Sequence, residues 1–165
     1  YYSNSTAVDE LGEVVRLVSP RKTIDKEFSK PDAKQNALLP YCTTEYLIAP
    51  NVLLTHQVDH IQFWRVYPLD GASRCRVELN LFWPLPMDEE AERKARLNVD
   101  LVWQVTTDED FPQSLAIHRN LASGVLPDLV FGSNEPALIY YHQNIAKAIG
   151  SERLIPLVEV EKNAE

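Results

Sequence analysis

The clearest alternation of polar and apolar residues in the chain lies within Arg74–Trp83. Charged or amide side chains alternate there with apolar ones. Because successive side chains of a strand point to opposite faces, this period of two predicts a strand with one covered face. The covered positions are Val77, Leu79, Leu81 and Trp83.

Two further stretches, Tyr46–Thr55 and His60–Tyr67, are rich in β-branched and aromatic residues and predict strands. Asp70-Gly71 follows the second stretch and supplies the positive φ that a tight reversal needs. The short connection predicts antiparallel neighbours, so we expect a three-stranded antiparallel sheet.

Helices are predicted in the second half of the chain. Asp88 is placed to cap a helix that ends at Val105, and Thr107–Ala122 forms the next one. Asn134 is placed to cap a last helix, which Gly150 ends. Strands first and three helices later indicate an α+β fold, with helices laid across one side of the sheet.

The chain has 165 residues, 45% of them hydrophobic, which is enough for one core. We expect a single domain. Residues 1–45 are rich in charge and proline and predict an irregular leading segment, with Glu13–Val18 as its strand-like stretch. Residues 46–160 form the expected core of three strands followed by three helices.

The composition excludes several classes of partner. A net charge of −8 without a basic run argues against nucleic acid and membrane surfaces. No apolar run is long enough to span a membrane. Cys42 and Cys75 lack the spacing of a zinc or iron-sulfur site, and free thiols suit a reducing cytoplasm.

The histidines are candidate metal ligands. His56 and His60 have the i, i+4 spacing of a helical pair, but they lie in strand sequence. At about 3.3 Å per residue a strand would separate them by about 13 Å, so a polar hairpin tip is favoured and metal binding across a turn stays open. His118 stands within an apolar stripe and is predicted to be a core residue.

Asp108, Glu109 and Asp110 allow two interpretations. At a helix start, acids gain from the positive end of the helix dipole, and Thr107 with Asp110 approximates a capping box. Alternatively, one of these carboxylates holds a metal. The spacing alone favours capping.

Short sequence blocks in a fixed order favour the metal interpretation. Over residues 45–150 the chain resembles the C-terminal catalytic domain of the alpha subunit of Rieske-type aromatic-ring-hydroxylating oxygenases. The first blocks are Ile48-Ala49-Pro50-Asn51, a hairpin with Asp59 at its tip, and a strand ending at Pro68. The later blocks are Glu109-Asp110-Phe111, then Leu121, Ser123 and Gly124, then Phe131-Gly132-Ser133-Asn134-Glu135, and finally Tyr141-His142.

The resemblance implies a helix-grip (START-like) fold, in which an antiparallel sheet packs on a long C-terminal helix. It also implies a mononuclear Fe(II) site of two histidines and one carboxylate, with positions left open for O2 beside an apolar pocket. Asp110 matches the family's carboxylate ligand and is therefore the expected metal ligand and catalytic residue. Val102, Trp103 and Val105 are candidates to wall the pocket, although core packing is the favoured role of each.

The resemblance further implies an aromatic or other apolar substrate that reacts with O2. Electrons would come from the 2Fe-2S cluster of a Rieske domain, supplied by a reductase or ferredoxin, and the parent would form a homo-oligomer.

The resemblance has two gaps. The family's histidine ligands stand in an N-D-x-x-H-x-x-x-x-H-like motif, and this chain contains no H-x-x-x-x-H and no Rieske C-x-H or C-x-x-H pair. We therefore expect a catalytic-domain fragment, incomplete at its N-terminus, whose activity alone is doubtful. The alternatives are a non-catalytic helix-grip module that binds an apolar ligand, or an accessory subunit.

Overall fold

The computed structural model describes residues 6–30, 39–71, 73–126 and 128–151. At its centre is a six-stranded antiparallel sheet in which each strand pairs with the next along the chain. The strands are β1 (Ala7–Leu11), β2 (Val14–Pro20), β3 (Cys42–Ile48), β4 (Val52–His56), β5 (Ile61–Pro68) and β6 (Cys75–Phe82). The helices are α1 (Ile24–Phe28), α2 (Glu89–Val105), α3 (Phe111–Ala122) and α4 (Pro136–Ile149), with a 3₁₀ turn at Leu39–Tyr41 and a π turn at Thr106–Asp110. The α+β helix-grip prediction is confirmed.

The sheet has six strands where three were predicted, and β1 and β2 lie in the segment expected to be irregular. β2 includes most of the strand-like stretch Glu13–Val18, and Gly12, with φ 70°, turns the chain from β1 into it. β1 is short and two of its five residues are acidic, so its pairing with β2 rather than its own sequence makes it a strand. Of the predicted leading segment and core, residues 1–5, 31–38 and 152–160 lie outside the described residues.

The predicted strand Tyr46–Thr55 is two strands, because Ala49-Pro50-Asn51 forms the turn between β3 and β4. The next two predicted strands are present as β5 and β6. The turn between them uses Gly71 at φ 86°, and the N–H of Leu69 donates to the carbonyl of Arg74 at 2.9 Å.

The alternation in β6 separates the two faces of the sheet as predicted. On one face a row crosses β2 to β6, and its most buried member, Val15, has no exposed surface. The row consists of Val15, Leu47, Leu53, Trp64 and Leu79. On the opposite face Glu78 accepts from Arg65 and Arg76, each at 3.1 Å.

α2, the π turn and α3 form one continuous helical stretch from Glu89 to Ala122. The Asp88 side chain caps its start by accepting from the Ala91 N–H at 2.8 Å, as predicted. The predicted helix start at Thr107 is wrong, because its hydroxyl donates back to the Trp103 carbonyl at 2.9 Å. The π turn interrupts the regular hydrogen-bond pattern directly before Pro112, a residue that lacks an N–H and would itself disrupt a regular α-helix.

Gly150 ends α4 as predicted, with φ 64°, and the backbone N–H groups of Gly150 and Ser151 donate to carbonyls of the last turn. The residue before its first turn is Glu135 rather than the predicted cap Asn134. Tyr140 Oη and Asn144 Nδ2 both donate to the carbonyl of Gly12, at 2.9 and 3.0 Å, which ties α4 to the β1–β2 turn. Within the described ranges, no helix combines the length and the apolar character that crossing a membrane requires.

Candidate functional site

An apolar cavity of about 190 Å³ lies between the sheet and the long helix. β5 and β6 form its sheet side. Trp64 pairs with Leu79 across these strands, so both side chains point to the same face. The sheet residues that line the cavity are Trp64, Val77, Leu79 and Leu81.

The helical side of the cavity depends on the π turn. Val99, Trp103 and Thr106 line the cavity and follow the spacing of one helix face. In a regular α-helix Asp110 would continue that face. Instead the N–H of Phe111 donates to the carbonyl of Thr106, five residues back. The extra residue brings Phe111 into the cavity lining and leaves Asp110 immediately beside it.

The cavity suits a small aromatic ring. Its lining consists of aliphatic and aromatic side chains with one hydroxyl residue, Thr106. An engineered apolar cavity of about 150 Å³ binds benzene, so one of about 190 Å³ has room for a single ring. Trp103 is 69% exposed, which leaves the helical side of the cavity accessible from solvent.

Asp110 is exposed, and Ser114 Oγ donates to its backbone carbonyl at 3.1 Å. Among the described residues its carboxylate has no hydrogen bond or ion pair, and it caps no helix. The neighbouring Asp108 differs, because it accepts from Thr107 Oγ1 at 3.2 Å. The capping interpretation of Asp110 is therefore wrong, and its exposed carboxylate belongs to the residue directly before the cavity-lining Phe111.

The structure places only one of the three predicted pocket residues in the cavity lining. Trp103 lines the cavity, whereas Val102 and Val105 are half-buried and do not. Each of these valines directly precedes a lining residue, so the helical rotation of about 100° per residue turns it toward a neighbouring face.

The histidines do not assemble a metal site in the described part of the chain. His56 pairs with Ile61, so His60, one residue earlier on the hairpin, faces the opposite side of the sheet. His118 is exposed on α3, which corrects the prediction of a core residue, and His142 stacks on Phe131 at 4.8 Å. Among the described residues, no three His, Cys, Asp or Glu side chains converge to hold a metal ion.

A series of hydrogen-bonded side chains with a buried centre runs from the exposed Asp59 on the β4–β5 hairpin to the cavity wall. His60 Nδ1 lies 2.8 Å from Asp59 Oδ1, and His60 Nε2 lies 3.1 Å from Gln62 Nε2. Gln62 Oε1 accepts from Trp64 Nε1 at 3.2 Å. Gln62 carried no functional signal in the sequence, although the period of two places it on the same face as Trp64.

Glu45 lies on the same sheet face as the cavity, where it pairs with Thr55 of β4. Burial raises the pKa of this carboxyl above its ordinary value near 4.5. The physical cause is loss of hydration, which penalises the charged form. Two strands, β4 and β5, lie between Glu45 and the cavity-lining Leu81, so Glu45 is not part of the cavity wall.

Comparison with known proteins identifies the family. A family model described as the ring hydroxylating alpha subunit (catalytic domain) matches residues 5–151. A search of curated proteins and a search of solved structures found no match. The matched range contains the sheet, the cavity, the π turn and Asp110, and it spans most of the sequence. The chain therefore belongs to the family of catalytic domains of ring-hydroxylating alpha subunits.

Proposed function

We propose that this chain forms the substrate-binding part of an oxygenase catalytic domain that hydroxylates a small aromatic compound with O2. One observation carries the proposal: an apolar cavity with room for a single ring is lined by Phe111, the residue directly after Asp110, whose carboxylate is free on the π turn. Membership of the ring-hydroxylating family supports the reaction type. The cavity supports the substrate class, because its wall offers hydrocarbon and aromatic contacts and few hydrogen-bonding groups.

The residues of the chain would bind and orient the ring. Trp64 and Phe111 offer aromatic faces from opposite sides of the cavity, and aromatic pairs prefer offset or edge-to-face contacts that fix orientation. Leu79 and Val99 add aliphatic side chains to the wall, so a bound ring would contact hydrocarbon on both sides. Burial of the ring is favourable by about 25 cal/mol for each Å² of apolar surface removed from water.

Non-haem iron held by two histidines and a carboxylate supplies O2 activation when it is bound in sites of this type. We propose Asp110 as the carboxylate ligand, because it is free and adjoins the cavity-lining Phe111. The described residues do not fit a complete site, since no three candidate ligands converge. The histidine ligands, the Rieske cluster and the electron-transfer partner of the proposed enzyme would therefore come from outside the described residues.

Toluene binding tests the proposed substrate class. We expect the chain to bind toluene in isothermal titration calorimetry. Val99→Phe fills the cavity and should abolish the signal. Leu97→Phe adds the same ring at a position that is 55% exposed and does not line the cavity, so it should bind as the unaltered chain does. Equal binding by both variants, or none by the unaltered chain, would exclude the cavity as the site.

Asp110→Ala separates the carboxylate from the cavity. Its toluene affinity should stay within about twofold of the unaltered chain, because the exposed carboxylate is not part of the lining. In an alpha subunit that carries the remaining ligands, the same substitution should remove bound Fe(II), as measured by metal analysis. Retention of iron would assign the carboxylate ligand to another residue.

A further inference from the structure

The polar chain at the cavity wall has a single consistent arrangement of protons. The indole nitrogen of Trp64 can only donate, so the Gln62 atom 3.2 Å away must be the amide oxygen. The Gln62 nitrogen is then the donor toward His60 Nε2, which must be unprotonated. The remaining proton of neutral His60 lies on Nδ1 and is donated to Asp59.

Burial and the stacking of Trp83 hold these hydrogen-bonded side chains in place. His60 is 7% exposed and Gln62 is 9% exposed, so the central hydrogen bonds are shielded from water. The ring of Trp83 stacks on His60, with centroids 5.0 Å apart and planes inclined by 25°. A buried amide between two fixed partners has little freedom to rotate, and its oxygen stays directed at Trp64.

These hydrogen-bonded side chains determine which surface Trp64 presents to the cavity. Two lining residues carry a side-chain N–H donor. Trp64 lies on the sheet side of the cavity and Trp103 on the helical side. Because the Trp64 N–H is donated along β5 to Gln62, the ring meets the cavity as an apolar surface. If the oxygen of Gln62 were removed, the indole would need another acceptor, and a polar ligand in the cavity could supply one.

We propose that Gln62 is a positioning residue that commits the Trp64 N–H to the sheet, and that it thereby makes the cavity select hydrocarbon rings over hydroxylated ones. This proposal rests on the proposed function for its ligand class. Asp59 and His60 act indirectly on Trp64, because they fix the orientation of the Gln62 amide.

Indole NMR tests the hydrogen bond without any ligand. The chain has three tryptophans, so a ¹⁵N-labelled sample should give three indole N–H resonances. Trp64→Phe assigns the Trp64 resonance by its loss. Gln62→Met, which keeps the length of the side chain but has no acceptor oxygen, should shift this resonance upfield and speed its exchange with water. Gln62→Glu should restore it, because one carboxylate oxygen accepts from Trp64 while the other accepts from His60, which then carries a proton on Nε2.

Gln57→Met is the matched control. Gln57 is a half-buried amide on the same hairpin, but its oxygen accepts from Thr43 at 3.2 Å rather than from Trp64. This variant should leave the Trp64 resonance unchanged. An unshifted Trp64 resonance in Gln62→Met would overturn the proposal, and so would an equal shift in Gln57→Met.

Selectivity between toluene and phenol tests the consequence. Gln62→Met should raise the affinity for phenol relative to toluene by about two- to tenfold, the range that one hydrogen bond provides. Gln62→Glu should keep the original ratio. In a Trp64→Phe background, Gln62→Met should no longer raise the ratio, because no indole N–H is released. An equal rise in that background would refute the role of Trp64.

The two proposals fail in different ways. If neither toluene nor phenol binds the unaltered chain, the proposed function fails, and the indole resonance still decides whether Gln62 positions Trp64. If Gln62→Met does not fold, Gln62→Glu decides the question, because a shifted Trp64 resonance or a raised phenol-to-toluene ratio in that variant contradicts the proposal.

Discussion

Asp110→Ala distinguishes a carboxylate that stabilises the helix from one that is free for chemistry. The side chain is exposed, has no partner among the described residues, and lies in the middle of a helical stretch that runs from Glu89 to Ala122. Neither a cap nor a dipole contribution is lost when it is removed. Alanine has the highest helix propensity, and ordinary residues are up to about 0.7 kcal/mol less favourable. The free energy of unfolding should therefore rise by roughly 0.3–0.7 kcal/mol.

Asp88→Ala is the matched control, because Asp88 accepts from the Ala91 N–H and is a true N-cap. Its loss should lower the free energy of unfolding by about 1 kcal/mol. Urea denaturation followed by far-ultraviolet circular dichroism measures both variants. The opposite signs make the comparison decisive. A loss of about 1 kcal/mol in Asp110→Ala, equal to that of a lost cap, would refute the reasoning from the π turn.

Three further predictions concern the sheet and its contacts. Burial raises the pKa of Glu45, so the folded chain holds a proton that the unfolded chain has released, and stability falls as pH rises through this range. Glu45→Gln should therefore be more stable than the unaltered chain at neutral pH and lose this advantage below pH 4.5, and a difference independent of pH in urea titrations would contradict this. Leu79→Ala should enlarge the cavity and raise the affinity for naphthalene relative to toluene, whereas Arg76→Ala on the opposite face should not. Tyr140→Phe should cost about 0.5 kcal/mol in thermal unfolding, since Asn144 still donates to the Gly12 carbonyl, and a loss above about 1.5 kcal/mol would show a larger role for the hydroxyl.

The elements with strong local signals were predictable. The alternation along β6 predicted a two-faced strand, because side-chain direction in a strand follows from the backbone alone. Asp88 and Gly150 marked helix ends, since a capping carboxylate and a left-handed residue act within one turn of backbone. The family blocks of the sequence pointed to Asp110, and its role as a ligand stays a prediction.

The sequence by itself determined the local geometry of this protein: which side chains alternate in β6, where α2 begins and where α4 ends. The tertiary structure decided the rest. β1 became a strand through its pairing with β2, and the helix continued through Thr107 because of a π turn that no residue pattern marks. The same turn selected Phe111 over Asp110 for the cavity lining, and strand pairing turned Val77 and Leu79 toward Val99 and Trp103. The physical reason is that such contacts join residues distant in the chain, whose energies depend on neighbours that a local pattern does not contain.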